Sequence, residues 1–217
     1  KMMVRPVKID LHMHSSYSPD SLMPPEKIVS RVGAVGLDCI AITDHNTIDG
    51  ALEIKRIAPF KVIIGEEIKS RGGEIIGLYL RESIPSGLSA FETVSSIKDQ
   101  GGLVSIPHPF DYFRRSVISK HALDEILPLV DIIESFNARN TFQKSNILAS
   151  KLAVDNNILA TAVSDSHTLL EIGRTYMCVD EFDGSPEGLK DSLFKGKLVT
   201  NPINPLIHVL TSSTKVI

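Results

Sequence analysis

Short apolar runs alternate along the chain with longer stretches whose apolar positions recur at helical spacing. The strand candidates are residues 7–11, 39–43, 61–68, 74–80, 103–107, 131–136, 159–163, 175–179 and 207–210. The helix candidates between them are residues 25–35, 49–57, 89–100, 143–156 and 186–193. Strands that alternate with helices are typical of parallel pairing through right-handed crossovers. The pattern therefore predicts one α/β domain over residues 1–217, and the number of units favours a barrel over an open sheet.

Ionisable side chains follow the ends of several predicted strands. They are His12 and His14 after the first run, Asp44 and His45 after the second, Glu66 and Glu67 near the end of the third, His108 after 103–107, and Asp165 and His167 after 159–163. In parallel α/β folds the carboxyl ends of the strands form the active site. Buried charges are destabilising unless they are paired or coordinated, so an accidental cluster is a poor explanation. We expect a functional site at this edge.

The spacing of His12 and His14 indicates a metal site. Residues two apart in an extended backbone project to the same side, and Asp165 and His167 repeat that spacing. Asp10 shares the parity of the first pair and could orient one of its rings. Nitrogen and carboxylate ligands suit Zn, Mn or Fe better than Ca or a thiolate-bound metal.

Composition narrows the classes of function. Of the 217 residues, 42% are hydrophobic and 23% charged, and the formal net charge of −3 gives no global attraction to nucleic acid. Only 6% are aromatic, and no aromatic-plus-basic groove for single strands is evident. Cys39 and Cys178 lie in apolar runs and are expected to be buried thiols in a reducing compartment. Without a signal-peptide pattern or an apolar run of about 20 residues, we expect a cytoplasmic protein with no membrane partner.

Five segments, in order along the chain, resemble the PHP (polymerase and histidinol phosphatase) family. They are residues 10–18 (Asp-Leu-His-Met-His-Ser-Ser-Tyr-Ser), 42–46 (Ile-Thr-Asp-His-Asn), 65–67 (Gly-Glu-Glu), 107–109 (Pro-His-Pro) and 164–167 (Ser-Asp-Ser-His). The resemblance extends from about residue 7 to about residue 180. It implies a distorted, TIM-barrel-like (β/α)7 barrel whose centre of two or three divalent metals hydrolyses phosphoesters.

The resemblance also implies a set of metal ligands. These are His12, His14, Glu67 and Asp165 for a first ion, Glu67 as a bridge and His108 for a second, and Asp20, His45 and His167 for a third. The catalytic residues that it implies are His12, His14, Glu67, His108, Asp165 and His167.

Two acidic positions leave alternatives open. Parity cannot choose between Glu66 and Glu67, because both faces of a barrel strand are buried. The Gly-x-Glu pattern of the family selects Glu67 and leaves Glu66 a structural or supporting role. Many relatives carry a histidine a few residues later, where this chain has Glu74. A carboxylate can replace an imidazole on Zn, Mn or Fe, so Glu74 is either a ligand of the second metal or a solvent-facing residue.

Basic residues near these motifs are candidates for binding a phosphate. Arg139 lies in an Asn-x-Arg segment that is similar to one in relatives, Arg114 and Arg115 lie in the polar loop after His108, and Lys69 follows Glu67. A bidentate arginine suits a phosphate best. The alternative for each is a solvated surface charge.

The favoured function is a metal-dependent phosphoesterase that acts on a small phosphomonoester or a nucleotide with Mn, Zn or Fe. Clustered divalent ions would cancel the charge of the phosphoryl oxygens and lower the pKa of a bound water. Glu67 and His108 are too close in sequence to hold a large helical lid, so we expect a comparatively open site. An open site admits a chain end as well as a small ester, so an exonuclease for short oligonucleotides is one alternative. A non-catalytic RNA-associated scaffold should lack several ligands and carry a basic face, so it is the least favoured alternative.

Overall fold

Nine strands and six α-helices form the part of the chain that the computed structural model describes, residues 5–202. The strands are β1 (Val7–Asp10), β2 (Cys39–Ile42), β3 (Lys61–Ser70), β4 (Gly73–Leu78), β5 (Leu103–Ile106), β6 (Ile132–Asn137), β7 (Leu159–Val163), β8 (Tyr176–Val179) and β9 (Lys197–Val199). The helices are α1 (Pro25–Val35), α2 (Asp49–Ile57), α3 (Ala90–Asp99), α4 (Lys120–Ile126), α5 (Gln143–Asp155) and α6 (Pro186–Phe194). The strand predicted at 207–210 lies outside the described residues.

The strands form one sheet in the order β7-β6-β5-β4-β3-β2-β1-β8-β9. The sheet curls until the segments that follow β7 and β1 meet. There, the Asp165 N–H donates to the His12 carbonyl and the His14 N–H donates to the Ser166 carbonyl, each over 3.0 Å. The sheet is therefore a nearly closed, distorted barrel, which confirms the predicted fold class.

The expectation of parallel pairing is wrong for several strand pairs. The pairs β1–β2, β2–β3, β5–β6 and β6–β7 are parallel, whereas β3–β4, β4–β5, β1–β8 and β8–β9 are antiparallel. Arg71 and Gly72 alone join β3 to β4, and a parallel crossover needs a dozen or more residues. Gly73 follows with a φ of 127°, and a Cβ there would lie 2.3 Å from the Ile118 Cα. The barrel is distorted at β4 and β8.

Alternate residues of the strands divide between two apolar layers. On β2, Cys39 and Ala41 pack in one cluster with residues of β1 and β3 to β8, while Ile40 and Ile42 pack in another with α1 and α2. Burying such side chains contributes about 1.5–3 kcal/mol for each large aliphatic residue. Cys39 is buried, Cys178 is half-buried, and both are free thiols.

Local signals define several helix ends. The Ser89 hydroxyl accepts the Glu92 N–H over 3.1 Å while the Glu92 carboxylate accepts the Ser89 N–H over 2.7 Å, which is a capping box at the start of α3. Pro25 begins α1, where its fixed φ suits the first turn, and Gly36 ends it with a φ of 70°. Among the described residues, no helix has the length and apolar character to cross a bilayer.

Candidate metal centre

Nine ionisable side chains from several elements converge at one end of the barrel. They are His12, His14 and Asp20 after β1, His45 after β2, Glu67 in β3, Glu74 in β4, His108 after β5, and Asp165 and His167 after β7. Three overlapping groups have ligand atoms within 4.8 Å of one another: His12, His14 and Glu67; His14, Asp20, His45 and His167; and His45, Glu67 and Glu74. All residues named as ligands from the sequence therefore lie in this cluster, which we call the centre.

Glu67 lies in the middle of the centre. Its Oε2 is 3.4 Å from the Nε2 atoms of both His12 and His14. The same oxygen is 3.3 Å from the His45 Nδ1, and the other, Oε1, is 3.0 Å from the His108 Nε2. One carboxylate thus faces four imidazoles.

The two acidic alternatives differ in the direction that their side chains take. Glu66 turns away from the centre, and its Oε2 accepts the backbone N–H of Ile84 over 2.9 Å. Glu74 is buried and faces the centre. Its Oε2 lies 3.7 Å from the His108 Nε2 and its Oε1 lies 3.9 Å from the His45 Nδ1. Glu74 is therefore available as a ligand rather than turned to solvent.

Asp165 is held in the centre by a strained backbone. Its Oδ1 lies 3.5 Å from the Nε2 atoms of His12 and His14 and 3.5 Å from the His167 Nδ1. Asp165 has a φ of 52° and His108 a φ of 30°. Non-glycine residues in such regions cost about 1–3 kcal/mol each and cluster at functional sites. The backbone conformations that direct these two side chains into the centre therefore lower the stability of the fold.

Asp20 and His45 form the outer side of the centre. The Asp20 Oδ2 is 3.3 Å from the His45 Nε2 and 3.4 Å from the His167 Nε2. The other ring nitrogen of His45, Nδ1, faces Glu67. His45 therefore offers one nitrogen to each of two adjacent ligand groups.

The buried oxygens of the centre fit divalent metals. Within residues 5–202, the Glu67 Oε2, the Glu74 Oε2 and the Asp165 Oδ1 are buried without a hydrogen-bond partner. Leaving a buried acceptor unsatisfied costs about 1–3 kcal/mol, and more if it is charged. The His12 and His14 Nε2 atoms are only 3.0 Å apart. Zinc ligands at bond lengths of about 2.0–2.2 Å in a tetrahedron lie roughly 3.4 Å from one another. The spacing and the unsatisfied oxygens thus match a shared cation.

Glu134 on β6 orients the first histidine, although it was not among the residues predicted from the sequence. The His12 Nδ1 and the Glu134 Oε1 are 2.6 Å apart. The Glu134 Oε2 accepts the His108 N–H and an Asn137 side-chain N–H, each over 2.9 Å. A metal-binding histidine ordinarily donates its other ring N–H to such a group. An acidic residue directly after Ile132 and Ile133, in the middle of the strand predicted at 131–136, was the available signal.

Asp10 has a different role from the one expected. Its Oδ1 accepts the backbone N–H groups of His12, over 3.4 Å, and Ser164, over 3.1 Å, rather than a histidine ring N–H. Asp10 therefore ties β1 to the segment after β7. The partner of the His14 Nδ1 is instead the Ser18 hydroxyl, at 3.1 Å, which in turn donates to Asp44 over 3.0 Å.

The ionisable groups of the centre differ in the direction of their pKa shifts. Burial and the neighbouring His167 and His45 lower the pKa of the His14 imidazole to about 3. Burial lowers the pKa of His45, but Glu67 and Asp20 raise it to about 9. Burial raises the pKa of the Glu67 carboxyl, yet the surrounding imidazoles hold it well below its ordinary range. Ionised Glu67 and neutral His14 are forms that coordinate a metal, whereas His12 and His45, whose pKa values the neighbouring carboxylates raise, must lose a proton when they bind one.

Of the basic candidates in the surface segments, Arg114 reaches the centre. Its guanidinium donates to the Asp165 Oδ2, and its Nε donates to the Asp111 Oδ2 over 3.1 Å. Arg115 and Lys69 are exposed. Burial lowers the pKa of the Arg114 side chain, but the carboxylates of Asp165, Glu67, Asp111 and Glu74 together outweigh burial and raise it, so the guanidinium is charged. Arg114 therefore forms a direct hydrogen bond with a candidate metal ligand.

Arg139 supports the centre from within the protein. It is buried, and its Nη1 donates to the Glu171 Oε1 over 2.7 Å. The other Glu171 oxygen accepts the backbone N–H groups of His167, over 2.8 Å, and Thr168, over 2.6 Å. The structure thus connects Arg139 to the loop that carries His167, instead of leaving it as the solvated surface charge that was the alternative.

The centre is less open than the short connection between Glu67 and His108 led us to expect. Most of its side chains are fully buried, and the most exposed, that of His45, is only 17% exposed. The loop between β5 and α4 folds across it, because the Ser116 carbonyl accepts the Glu74 N–H over 2.8 Å and Arg114 contacts Asp165.

Two family models match the chain. The model described as PHP domain matches residues 10–170, and the model described as PHP-associated matches residues 143–198. A protein of Methanocaldococcus jannaschii that carries the name "uncharacterized" is 44% identical over 146 residues, which are 61% of this chain and 82% of the relative. A 5′-3′ exoribonuclease of Haemophilus influenzae is 31% identical over 100 residues, which are 43% of this chain and 36% of the relative.

A solved structure shares the fold. A two-domain protein of Bacteroides vulgatus, which contains a predicted PHP-like metal-dependent phosphoesterase, superposes with a TM-score of 0.73 at 21% identity. The superposition covers 90% of this chain but only 65% of that protein, so the chain spans less than two thirds of its length. At this identity the likeness establishes the barrel architecture.

Proposed function

The chain belongs to the PHP domain family, and we propose that it is a metal-dependent hydrolase that cleaves the phosphate ester of a small phosphomonoester or a nucleotide. The observation that carries the proposal is the pairing of buried, unsatisfied carboxylate oxygens with imidazole nitrogens. The Glu67 Oε2 and the Asp165 Oδ1 each face the Nε2 atoms of His12 and His14 at 3.4 and 3.5 Å. Oxygen and nitrogen donors at this spacing suit Mn, Zn or Fe.

Two or three divalent ions would each have a ligand set in the centre, with Glu67 shared by two of the sets. The sets are His12, His14, Glu67 and Asp165; Glu67, Glu74 and His108; and Asp20, His45 and His167. Such ions, when bound, neutralise phosphoryl charge and lower the pKa of a coordinated water. Arg114 would supply further positive charge for the phosphate. Its guanidinium has five N–H donors, and its contacts with Asp165 and Asp111 do not use all of them.

Hydrolysis of short oligonucleotides is the second candidate function. It is favoured by the exoribonuclease of Haemophilus influenzae among the relatives, although the matched segment is only 36% of that protein. Between Glu67 and His108 the chain holds the rest of β3, β4, α3 and β5, so no inserted helical domain blocks a chain end. A metal-free RNA scaffold is disfavoured, because the expected ligands are all present in one cluster.

Metal reconstitution combined with a substrate panel tests the proposal. Metal-free protein is loaded separately with Mn, Zn and Fe(II), and bound metal is counted by elemental analysis. We expect at least two ions per chain, together with hydrolysis of phosphomonoesters, nucleotides or short oligonucleotides by at least one loaded form. A metal ratio below one, or loaded protein inactive on every ester of the panel, would refute the proposed function.

A further inference from the structure

Three exposed aromatic side chains form a small cluster beside the centre. Tyr112, Phe113 and Phe142 are 82%, 61% and 50% exposed. The ring centroids of Phe113 and Phe142 are 5.4 Å apart at an interplanar angle of 31°, and Tyr112 meets Phe113 edge-on at 5.6 Å. Contiguous exposed apolar groups on a folded protein commonly mark a binding surface. We call these three residues the aromatic platform.

Hydrogen bonds attach the aromatic platform to the centre. The His108 carbonyl accepts the Asp111 N–H over 3.1 Å. Asp111 then holds the Phe113 N–H through Oδ1 and the Arg114 Nε–H through Oδ2, each over 3.1 Å. Arg114 itself reaches Asp165. Through Asp111 and Arg114, hydrogen bonds therefore connect the platform to two candidate metal ligands, His108 and Asp165.

The second side of the platform comes from another strand end. Phe142 precedes α5, in the segment that follows β6, whereas Tyr112 and Phe113 belong to the segment that follows β5. Folding thus places rings from two loops together, although no aromatic-plus-basic groove is evident in the sequence. The next residue, Arg115, is exposed. The surface combines flat apolar faces with positive charge, which complements an anion that carries a flat ring system.

The face is a poor match for a second copy of the chain. A twofold contact through the same patch would bring Arg114 and Arg115 toward their own equivalents. Such a like-charge juxtaposition opposes association. A nucleotide has no such difficulty, because its phosphate is negative and its base is planar.

We propose that the aromatic platform stacks against the base of a nucleotide whose phosphate lies at the metal centre. This inference rests on the proposed phosphoesterase function and specifies its substrate class. Water adds to phosphorus, the bond from phosphorus to the ester oxygen breaks, and that oxygen leaves with a proton as the hydroxyl of a nucleoside. Base stacking on aromatic side chains is worth about 1–3 kcal/mol per base and tolerates any base, because every base has a π-face.

A pair of esters that differ only in the base tests the platform. Adenosine 5′-monophosphate and methyl β-ribofuranoside 5-phosphate present the same phosphate on the same closed ring. We expect kcat/KM to be roughly 10-fold higher for the nucleotide, within the range that stacking energies allow. Equal values for both esters overturn the platform and leave the phosphoesterase function standing. If neither ester nor any other phosphoester is hydrolysed, the proposed function fails and the platform fails with it.

Variants then connect the preference to the rings. In Phe113→Ala and Phe142→Ala the ratio of the two kcat/KM values should fall toward one, whereas Phe113→Tyr should retain it. Phe194→Ala, at an exposed ring at the end of α6, is the matched control and should keep the wild-type ratio. A ratio that survives both alanine substitutions overturns the proposal. A second outcome also overturns it: the wild-type protein sediments as an oligomer, and Phe113→Ala dissociates that oligomer without changing the ratio of the two kcat/KM values.

A third substrate distinguishes the two sources of the base. A 5′-phosphorylated trinucleotide carries the same terminal base and phosphate as a mononucleotide, on a longer chain. Loss of its hydrolysis in Phe113→Ala and Phe142→Ala supports a platform that takes the end of an oligonucleotide. If the two substitutions lower hydrolysis of the mononucleotide but not of the trinucleotide, the platform is restricted to single nucleotides.

Discussion

The centre and the aromatic platform lie side by side but are held in different ways. The rings and carboxylates of the centre are buried and fixed by further groups; His12, for example, is 2.6 Å from Glu134. The platform is exposed, and the hydrogen bonds of Asp111 tie its Phe113 backbone to the centre. Catalytic groups need positions fixed to fractions of an ångström, whereas a stacking surface tolerates movement.

This contrast separates chemistry from recognition in the molecule. Strand ends supply rigid positions for the ligands, and the loops beyond them supply variable surface, as in other barrels. Substitutions in the centre should therefore abolish turnover or weaken metal binding for every substrate. Substitutions in the loop should change the choice of substrate by smaller factors.

The largest expected effect is the loss of a direct ligand. Asp165→Asn and His12→Ala should each lower kcat/KM by more than about 1,000-fold, beyond the 10–100-fold typical of supporting residues. Asparagine tolerates the left-handed backbone at position 165, so the fold should remain, as circular dichroism can check. Asp124→Asn and His121→Ala, at exposed positions on α4, are matched controls. Wild-type turnover in either ligand variant contradicts the assignment.

Arg114 belongs to both regions, so its removal tests where they join. Arg114→Ala should lower kcat/KM by about 10–100-fold, mainly through KM, because a hydrogen bond to a charged group is worth about 1.5–3 kcal/mol. Arg115→Ala removes an exposed guanidinium and should change kcat/KM by less than about 3-fold. Steady-state kinetics on one phosphomonoester compare the two. Equal effects from both substitutions would show that Arg114 acts only through general charge.

Glu74 tests whether the second ligand set includes a carboxylate. Glu74→Ala should weaken binding of one ion by about 30-fold, within the range for residues around a metal. Glu74→His should keep activity but shift the best metal from Mn toward Zn, because imidazole nitrogen is a softer ligand than carboxylate oxygen. Chelator competition for each metal measures both changes. Glu82→Ala, at an exposed site after β4, is the control. Unchanged stoichiometry and metal preference in Glu74→Ala would leave the second ion to Glu67 and His108.

Periodicity and position predicted the barrel and the site edge, because strand ends and spacing determine which residues gather there. The direction in which strands pair could not be predicted, because an apolar run such as Gly73–Leu78 has the same pattern in parallel and antiparallel sheets. The aromatic platform was also missed, because Phe113 and Phe142 meet only after two loops fold together. The Asn-x-Arg segment could not show that Arg139 pairs with Glu171.

Glu134 is the clearest omission, and it gives the smallest effect in the centre that we expect to be measurable. Both of its oxygens accept: Oε1 lies 2.6 Å from the His12 ring nitrogen, while Oε2 takes the N–H groups of His108 and Asn137. Glutamine has only one acceptor oxygen, so in Glu134→Gln the side-chain NH2 group must face one of these N–H donors without a hydrogen bond. Affinity for the ion that His12 holds should fall about 10-fold, at the low end of supporting-residue effects. Glu125→Gln, at an exposed position on α4, is the isosteric control. Equal metal affinities for Glu134→Gln and wild type in chelator competition would mean that the backbone of β1 alone positions His12.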